Sequence, residues 1–190
     1  MESHGLRKKA LDAIDKTEFY PNKGKERLKS MIETRPDWCV SRQRVWGVPL
    51  PIFISKKDEK VLVDEEVFNN IANIFEKEGS DCWFEDNKQK FLGKKYNEND
   101  FYQTTDIVEV WFDSGSTHSF VLEQRDDLKW PASLYLEGSD QHRGWFHSSL
   151  LESCGTRGEA PFEAILSHGF VVDGKGLKMS KSMGNVISPD

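Results

Sequence analysis

The 190-residue sequence has few cysteines, no long apolar run and no excess of basic residues. Its three cysteines, Cys39, Cys82 and Cys154, lie far apart and form no C-x-x-C pair. This spacing argues against a disulfide framework or a structural zinc site and favours a reducing compartment. No apolar stretch approaches the roughly 20 residues of a membrane span, and the N-terminus lacks the apolar segment of a signal peptide. We therefore expect a soluble, cytoplasmic protein.

A formal net charge of −6 disfavours a protein that coats nucleic acid non-specifically, because such proteins carry a strongly basic face. Basic residues still cluster at residues 7–9, 23–29 and 42–44. Such runs are often solvated helix faces, so this reading and RNA contact both stay open. The six tryptophans and 37% hydrophobic residues suffice for a folded core.

The periodicity predicts two N-terminal helices, over residues 6–14 and from Asn22 to the segment before Pro36. An apolar, proline-bounded run at 48–54 predicts a strand. Residues 55–105 are polar and charged, with one amphipathic helix that begins after Asp64 and ends at Gly79. This stretch has the character of an inserted module.

From residue 107 the pattern alternates between strands and helices. We predict strands at 107–112, 134–136 and 164–166, and a helix over 140–154 closed by Gly155. This alternation is typical of an α/β fold with a mainly parallel sheet. Ligands bind such sheets at the carboxyl ends of the strands, which predicts a site near Glu137, Gly138 and His168.

The strongest chemical motif is Lys178-Met179-Ser180-Lys181-Ser182, after a glycine-bearing turn. Two lysines three residues apart make a mobile cationic loop. Such a loop can close on a triphosphate and offset the charge that develops on departing pyrophosphate. Most K-x-x-K stretches are ordinary exposed loops, but this one follows a predicted strand of an α/β core.

Residues 178–182 resemble the signature loop of the class I aminoacyl-tRNA synthetases. Residues 37–47 (DWCVSRQRVWG) resemble the segment that follows the editing insertion in the isoleucine, leucine and valine members. Three further stretches look like the isoleucine members in particular: 110–118 (VWFDSGSTH), 136–146 (LEGSDQHRGWF) and 167–171 (SHGFV).

The resemblance implies a C-terminal half of a Rossmann-like catalytic domain, formed by 37–54 and 106–190, with 55–105 as an inserted connective α+β module. Residues 1–36 would be the trailing edge of the editing insertion and connecting helices. The family's first nucleotide signature, a His-x-Gly-His type tetrapeptide, is absent from the chain. We expect the chain alone to have little or no activity.

The resemblance assigns Glu137 and Gly138 to binding of the aminoacyl-adenylate, with Asp140 and Gln141 beside them. A plain N-cap role for Asp140 is equally open. It places Trp111 and Trp145 around the isoleucine side chain, although tryptophans on a strand and a helix usually belong to the core.

By the same resemblance, Lys178 and Lys181 are the catalytic residues, and His168, Gly169, Phe170 and Val171, with Lys181, contact ATP. Activation needs no general base, so His168 is better read as a positioned residue. Arg42, Arg44 and Trp46 are candidates for tRNA contact, with packing under the insertion as an equal alternative.

The implied function is ATP-dependent activation of isoleucine and its transfer to the 3′ end of isoleucine tRNA, by a monomer. The implied partners are tRNA, isoleucine, ATP with Mg²⁺ and the missing N-terminal catalytic half. No metal site or membrane contact is expected in this segment. The alternatives are a valine or leucine enzyme, a non-catalytic RNA-binding remnant, and a nucleotidyltransferase, which would need its own His-rich signature; the sequence contains none.

Overall fold

A computed structural model of the chain describes residues 1–187. The chain divides into two compact units, the first made of residues 1–38 together with the chain from Ser114 onwards, the second of residues 39–113. Each unit is described separately. The last three residues of the predicted catalytic segment 106–190 lie outside the described residues. Within the described part, no helix is long and apolar enough to cross a membrane.

The first unit begins with the two predicted helices, α1 (Leu6–Lys16) and α2 (Lys23–Glu33). Both predictions are confirmed, because the apolar residues at helical spacing are the ones that face the core: Ala10, Ala13, Ile14, Leu28 and Ile32. Arg7 on α1 donates hydrogen bonds to the carbonyls of Glu33 and Arg35 at 2.9 and 2.8 Å. Part of the first basic run therefore satisfies the carbonyl end of α2 instead of facing solvent.

The sheet of the first unit has three parallel strands in the order β1–β7–β6. They are β1 (Glu18–Tyr20), β6 (Tyr135–Gly138) and β7 (Ala164–His168). The predicted parallel α/β class is confirmed. The strand predicted at 134–136 begins one residue later and runs on to Gly138, and β7 runs two residues beyond the predicted 164–166. The sequence analysis did not predict β1, which has only one buried residue, Phe19.

The segment between β6 and β7 holds the helix α6 (Trp145–Thr156), preceded by a 3₁₀ turn over Ser139–Arg143. The prediction of one helix over 140–154 is wrong at both ends. The backbone leaves the helical region at Gly144 (φ −117°, ψ −114°), and Gly155 lies inside the helix instead of closing it. Phe146, Leu150 and Cys154 of α6 are fully buried in the core.

The second unit contains two antiparallel strand pairs and two helices. Its strands are β2 (Ser41–Arg42) paired with β5 (Ile107–Val108), and β3 (Phe53–Ser55) paired with β4 (Phe101–Gln103). Its helices are α3 (Glu65–Glu78) and α4 (Lys88–Leu92), and α5 (Val110–Gly115) begins at its end. Phe53, Trp83, Phe91 and Phe101 form an aromatic core.

Three predictions fall in the second unit. The helix that begins after Asp64 is confirmed, since the Asp64 carboxylate accepts the N–H of Glu66 and the helix ends at Gly79. The strand predicted at 48–54 is largely wrong: two prolines remove ladder N–H groups, and only Phe53–Ser55 pairs as a strand. The strand predicted at 107–112 ends at Val108, and the chain turns into α5.

Candidate functional site

The carboxyl ends of β6 and β7 lie side by side in the first unit. Glu137 is opposite Ser167, and Gly138 is opposite His168. This parallel register brings together the residues that the sequence analysis placed at the ligand-binding edge. Glu137 and His168 are exposed there, whereas Gly138 is buried. The edge therefore carries an acidic side chain, a bare backbone segment and an imidazole close together.

Gly138 lies closely packed beneath this edge. A Cβ on Gly138 would meet Oδ1 of Asp140 at 2.6 Å and Cε1 of His168 at 3.8 Å. The Gly138 N–H donates to Oε2 of Glu137 at 3.1 Å. The glycine thus lets the Asp140 carboxylate approach the strand end, and Glu137 folds back over the same backbone.

Asp140 and Gln141 have different roles in the turn before α6. The Gln141 side chain donates to Oδ2 of Asp140 at 3.0 Å. Its Oε1 accepts the N–H of Trp145, the first residue of α6, also at 3.0 Å. Gln141, and not Asp140, therefore satisfies the helix N-terminus, and the N-cap interpretation of Asp140 is wrong. The exposed Asp140 carboxylate keeps further acceptor capacity.

Trp145 is held in a fixed orientation by two contacts. Its ring stacks on Tyr135 of β6 with centroids 4.1 Å apart and planes 3° from parallel. Its indole N–H donates to the carbonyl of Ser114 at 3.0 Å. One face of the ring and its only donor are used inside the fold, so the half-buried remainder is an apolar surface. Trp111 lies in the second unit, on α5, and is exposed.

His168 ends β7 and leads into the predicted ATP-binding segment. Its Nδ1 lies 2.7 Å from the carbonyl of Gly169, so this nitrogen carries the proton and donates. That bond orients the ring, in keeping with a positioned histidine. Gly169, Phe170 and Val171 follow in exposed backbone, and a Cβ on Gly169 would meet no atom within 4 Å.

The lysine loop is an ordered hairpin. Val172 bridges Lys178, and the N–H of Met179 donates to the carbonyl of Val171 at 3.1 Å. The Lys178 ammonium lies 3.7 Å from the centroid of the Phe170 ring, a cation–π contact. Lys181 is exposed and begins a short 3₁₀ turn, Lys181–Met183. The two predicted catalytic lysines thus both follow the turn of the hairpin, with Ser180 between them in extended conformation.

Two residues that the sequence analysis did not single out organise this hairpin, Asp173 and Asn185. Their side chains hydrogen-bond to each other at 2.9 Å. That bond and the backbone N–H groups of Leu177 and Lys175 hold the pKa of Asp173 below its usual range. The sequence signal was the Asp-Gly-x-Gly turn and an asparagine directly after Gly184.

The candidates for tRNA contact lie in the second unit, in a cleft of about 1410 Å³. Arg42 donates to the carbonyls of Cys39 and Ser41 at 2.7 and 2.8 Å, so its guanidinium supports the local backbone. Arg44 is exposed, and Trp46 is 90% exposed. The cleft also contains acidic residues and apolar side chains: Phe84, Val48, Val110, Trp111, Asp81, Asp106, Glu109 and Asp113.

The chain is similar to known proteins in sequence and in fold. The sequence profile of the family described as "tRNA synthetases class I (I, L, M and V)" matches residues 1–190. The isoleucine–tRNA ligase of Pelagibacter ubique (strain HTCC1062) is 76% identical over all 190 residues, which cover 21% of that protein. The isoleucine–tRNA ligase of Brucella abortus biovar 1 (strain 9-941) is 59% identical over 97% of this chain and 19% of its own length.

A solved structure, the ternary complex of Agrobacterium radiobacter K84 agnB2 LeuRS with tRNA and LeuAMS, matches 81% of this chain and 22% of its own. Its TM-score is 0.54 at 20% sequence identity, so the likeness concerns the fold. The chain spans about a fifth of the length of the curated relatives that it matches.

Proposed function

The chain belongs to the family of class I tRNA synthetases, and from this premise we propose that it forms part of the catalytic site of an isoleucine–tRNA ligase. The reaction would join isoleucine to AMP at the expense of ATP and then transfer it to the 3′ end of tRNA. The observation that carries the proposal is the sheet edge at Glu137, Gly138 and His168, followed directly by the lysine loop.

Isoleucine is the amino acid that the relatives support. The two ligases described above are both named for isoleucine, at 76% and 59% identity. A valine or leucine enzyme, the alternative raised from sequence, has no comparable support. We place Trp145 and Trp111 around the aliphatic side chain of the substrate. The flat, apolar face of Trp145 suits a branched chain, since its indole N–H is already used by Ser114.

In the activation step the isoleucine carboxylate attacks the α-phosphorus of ATP. The new carboxylate–phosphorus bond forms as the bond to pyrophosphate breaks, and no general base is needed. We propose that Lys178 and Lys181 stabilise the negative charge on the leaving pyrophosphate. Residues 168–171 would contact the adenine and ribose. Lys178 would have to leave the Phe170 ring to reach the phosphates, which is compatible with a loop that closes on ATP.

The adenylate product needs groups that bind a ribose diol and an ammonium group. We assign this role to Glu137, Gly138, Asp140 and Gln141. The exposed carboxylates of Glu137 and Asp140 can accept hydrogen bonds from either group. Gly138 provides the close approach of the backbone. Hydrogen bonds orient both carboxylates, since Glu137 accepts the N–H of Gly138 at 3.1 Å and Asp140 accepts the side-chain amide of Gln141 at 3.0 Å.

Mg²⁺ accompanies ATP in this family, and we expect it to arrive bound to the phosphates. No group of three or more histidine, cysteine, aspartate or glutamate side chains within residues 1–187 is placed to hold a metal ion.

We also propose that residues 55–105 are an inserted connective module. The pairs β2–β5 and β3–β4 bring the two ends of this stretch together, with Ser41 opposite Val108 and Phe53 opposite Gln103. Such closure is what an insertion into a continuous domain requires. The contact unit extends further, over residues 39–113, so flanking parts of the predicted catalytic segment cluster with the module.

The wider partners follow from the family. We propose that isoleucine tRNA reaches the site through Arg44 and Trp46, that the rest of the catalytic domain completes it, and that the enzyme works as a monomer. The cytoplasm is the compartment we propose, and the three unpaired cysteines fit its reducing conditions. Residues 1–36 would connect the site to the editing insertion.

The test is a graft in which residues 1–190 replace the matching segment of the Pelagibacter ubique isoleucine–tRNA ligase. We expect ATP–pyrophosphate exchange that depends on isoleucine and responds weakly to valine and leucine. Lys181→Ala should lower the exchange rate by about 10²–10³-fold, the usual effect of removing one group that stabilises transition-state charge. Lys8→Ala, which removes an exposed lysine on α1, should leave it unchanged. Equal rates for Lys181→Ala and the unmodified graft would contradict the proposal.

A further inference from the structure

Asn185 follows the lysine motif, and its amide group contacts both sides of the hairpin. Its Oδ1 accepts the N–H of Ser180 at 3.0 Å. Its Nδ2 donates to Oδ2 of Asp173 at 2.9 Å and to the carbonyl of Lys178 at 3.3 Å. One half-buried side chain therefore holds the backbone before and after Met179 and ties it to a carboxylate across the hairpin.

Asp173 is itself held rigidly. Its Oδ1 accepts the backbone N–H groups of Lys175 and Leu177, each at 2.9 Å. Its own N–H donates to the carbonyl of Leu177 at 2.8 Å, and its carbonyl accepts the N–H of Gly176 at 2.9 Å. Because several donors hold the Asp173 carboxylate in place, the Asn185 amide that binds it is held in place as well.

The chain reaches this arrangement through Gly184. The short turn Lys181–Met183 ends there, in the left-handed region at φ 65°. Glycine adopts that conformation without a steric penalty, and the chain therefore bends back so that the next side chain faces the hairpin. Asn185 then lies against the backbone from which the Lys178 and Lys181 side chains project.

We propose that Asp173 and Asn185 form a clasp that positions Lys178 and Lys181 for pyrophosphate release. The inference rests on the proposed function, because the task of the lysines is part of that proposal. The clasp fixes the Lys178 carbonyl and the Ser180 N–H, so the two ammonium groups extend from a backbone already in place. A fixed backbone limits the movement needed to bring the ammonium groups to the phosphates to the lysine side chains themselves. Both clasp residues act through the lysines and are positioning residues.

The first test uses the graft described above. Asn185→Ala should lower kcat for isoleucine-dependent exchange by about 10- to 100-fold, as expected when catalytic groups shift by about an ångström. The KM for isoleucine should change by less than about twofold, since the sheet edge is untouched. Asn97→Ala is the matched control. It also removes an asparagine that accepts a backbone N–H in a turn, at 2.9 Å from Asn99, but in the second unit.

The second test exchanges the acidic and amide side chains of Asp173 and Asn185. Asn185→Asp would set two carboxylates against each other, so kcat should fall at neutral pH and recover partly as the pH is lowered and one proton is shared. Adding Asp173→Asn restores a donor opposite an acceptor. The double variant should therefore regain part of the rate at neutral pH, because the bond between residues 173 and 185 returns while the bond to the Lys178 carbonyl does not. Loss of general structural support would produce no such recovery.

The third test needs no activity. Limited trypsin digestion reports how often the backbone at Lys178 and Lys181 opens, and Asn185→Ala should accelerate cleavage there while Asn97→Ala does not. Unchanged kcat in Asn185→Ala, a change confined to KM, or no recovery in the double variant would overturn the clasp. If the unmodified graft shows no isoleucine-dependent exchange, the proposed function fails. The clasp is then judged by trypsin alone, and an unchanged cleavage rate refutes it.

Discussion

At the scale of single residues, the site owes its shape to contacts a few residues apart along the chain. Gly138 leaves the space that the Asp140 carboxylate occupies, and Gln141 satisfies the N-terminus of α6 in place of Asp140. Trp145 shows that one tryptophan can pack against the core with one face and still offer an apolar surface with the other. One face packs on Tyr135 and the indole N–H is bound within the fold, while the rest of the ring is an apolar surface.

Gly138→Ala tests the close approach at the strand end. The new Cβ would lie 2.6 Å from Oδ1 of Asp140, so the carboxylate must move. We expect the free energy of unfolding to fall by about 1–3 kcal/mol, as for other overpacked sites, and the affinity for an isoleucyl-adenylate analogue to weaken. Thermal unfolding and calorimetric titration measure the two effects.

The control for this variant is Gly174→Ala, since a Cβ there would meet no atom within 4 Å. Gly174→Ala should change neither the free energy of unfolding nor the affinity for the isoleucyl-adenylate analogue. An unaltered affinity in Gly138→Ala would mean that the position of Asp140 does not matter for adenylate binding.

At the scale of elements, periodicity predicted α1, α2 and α3 because each has one apolar face. Periodicity failed where tertiary contacts determine the secondary structure. Residues 107–112 are rich in strand-forming residues, yet the N–H of Glu109 pairs with the carbonyl of Val40 and its own carbonyl then accepts the N–H of Phe112. The strand therefore turns into α5. The break at Gly144 was missed because a single glycine inside a predicted helix is often tolerated.

Like the secondary structure, the candidate site could be predicted from the sequence only in part. The strand ends that gather Glu137, Gly138 and His168 follow from parallel topology. The clasp could not be predicted in the same way, because the bonds between Asp173 and Asn185 depend on the conformation of the hairpin and span 12 residues.

The cap of α3 provides an element-scale prediction. Asp64 accepts the N–H of Glu66 at 2.9 Å and the hydroxyl of Tyr96 at 2.6 Å, and it pairs with Lys95. Together these bonds lower the pKa of Asp64 to about 2, and the bond from Lys95 contributes most. Asp64→Ala should lower the melting temperature by a few degrees, because the helix N-terminus and Tyr96 both lose their acceptor.

The cap contribution should also depend on pH. The folded-state pKa lies below the ordinary 3.8, so the contribution is present above that value and is lost as the pH falls towards 2. Asp86→Ala, at an exposed site of the same unit, serves as the control and should change neither the melting temperature nor its pH dependence. Identical melting curves for Asp64→Ala and the unmodified chain would contradict the prediction.

At the scale of the whole molecule, buried histidines should make stability depend on pH. Burial, and then the charges of Arg35 and Arg143, lower the pKa of His147 from 6.5 to about 4; the residue is 4% exposed. Between pH 6.5 and 4 the unfolded chain therefore binds more protons than the folded one. Stability should fall by about 3 kcal/mol as the pH is lowered through this window.

Denaturant unfolding at several pH values checks this expectation. His118 and His142 shift in the same direction through burial and should add to the slope. His147→Gln should flatten the dependence, whereas His4→Gln, at an exposed site, should not. A flat profile in the unmodified chain would contradict the assignment of His147 as neutral and buried.

The family assignment and the parallel sheet also set what the whole chain should recognise. We propose that a sheet edge with two carboxylates, an apolar tryptophan face and a cationic loop accommodates an aminoacyl-adenylate better than isoleucine or ATP alone. That ligand carries the ammonium group, the aliphatic side chain and the nucleotide together. We therefore propose that the chain helps to bind this species.

The most direct test is thermal unfolding of the graft with a non-hydrolysable isoleucyl-adenylate analogue, compared with the valyl form. At 100 times its dissociation constant, a ligand that binds only the folded state adds about 2.7 kcal/mol. We predict a clear upward shift with the isoleucyl analogue, a smaller one with the valyl analogue at the same concentration, loss of the shift in Glu137→Ala and its retention in Glu159→Ala. Equal shifts with both analogues, or a full shift in Glu137→Ala, would contradict the account.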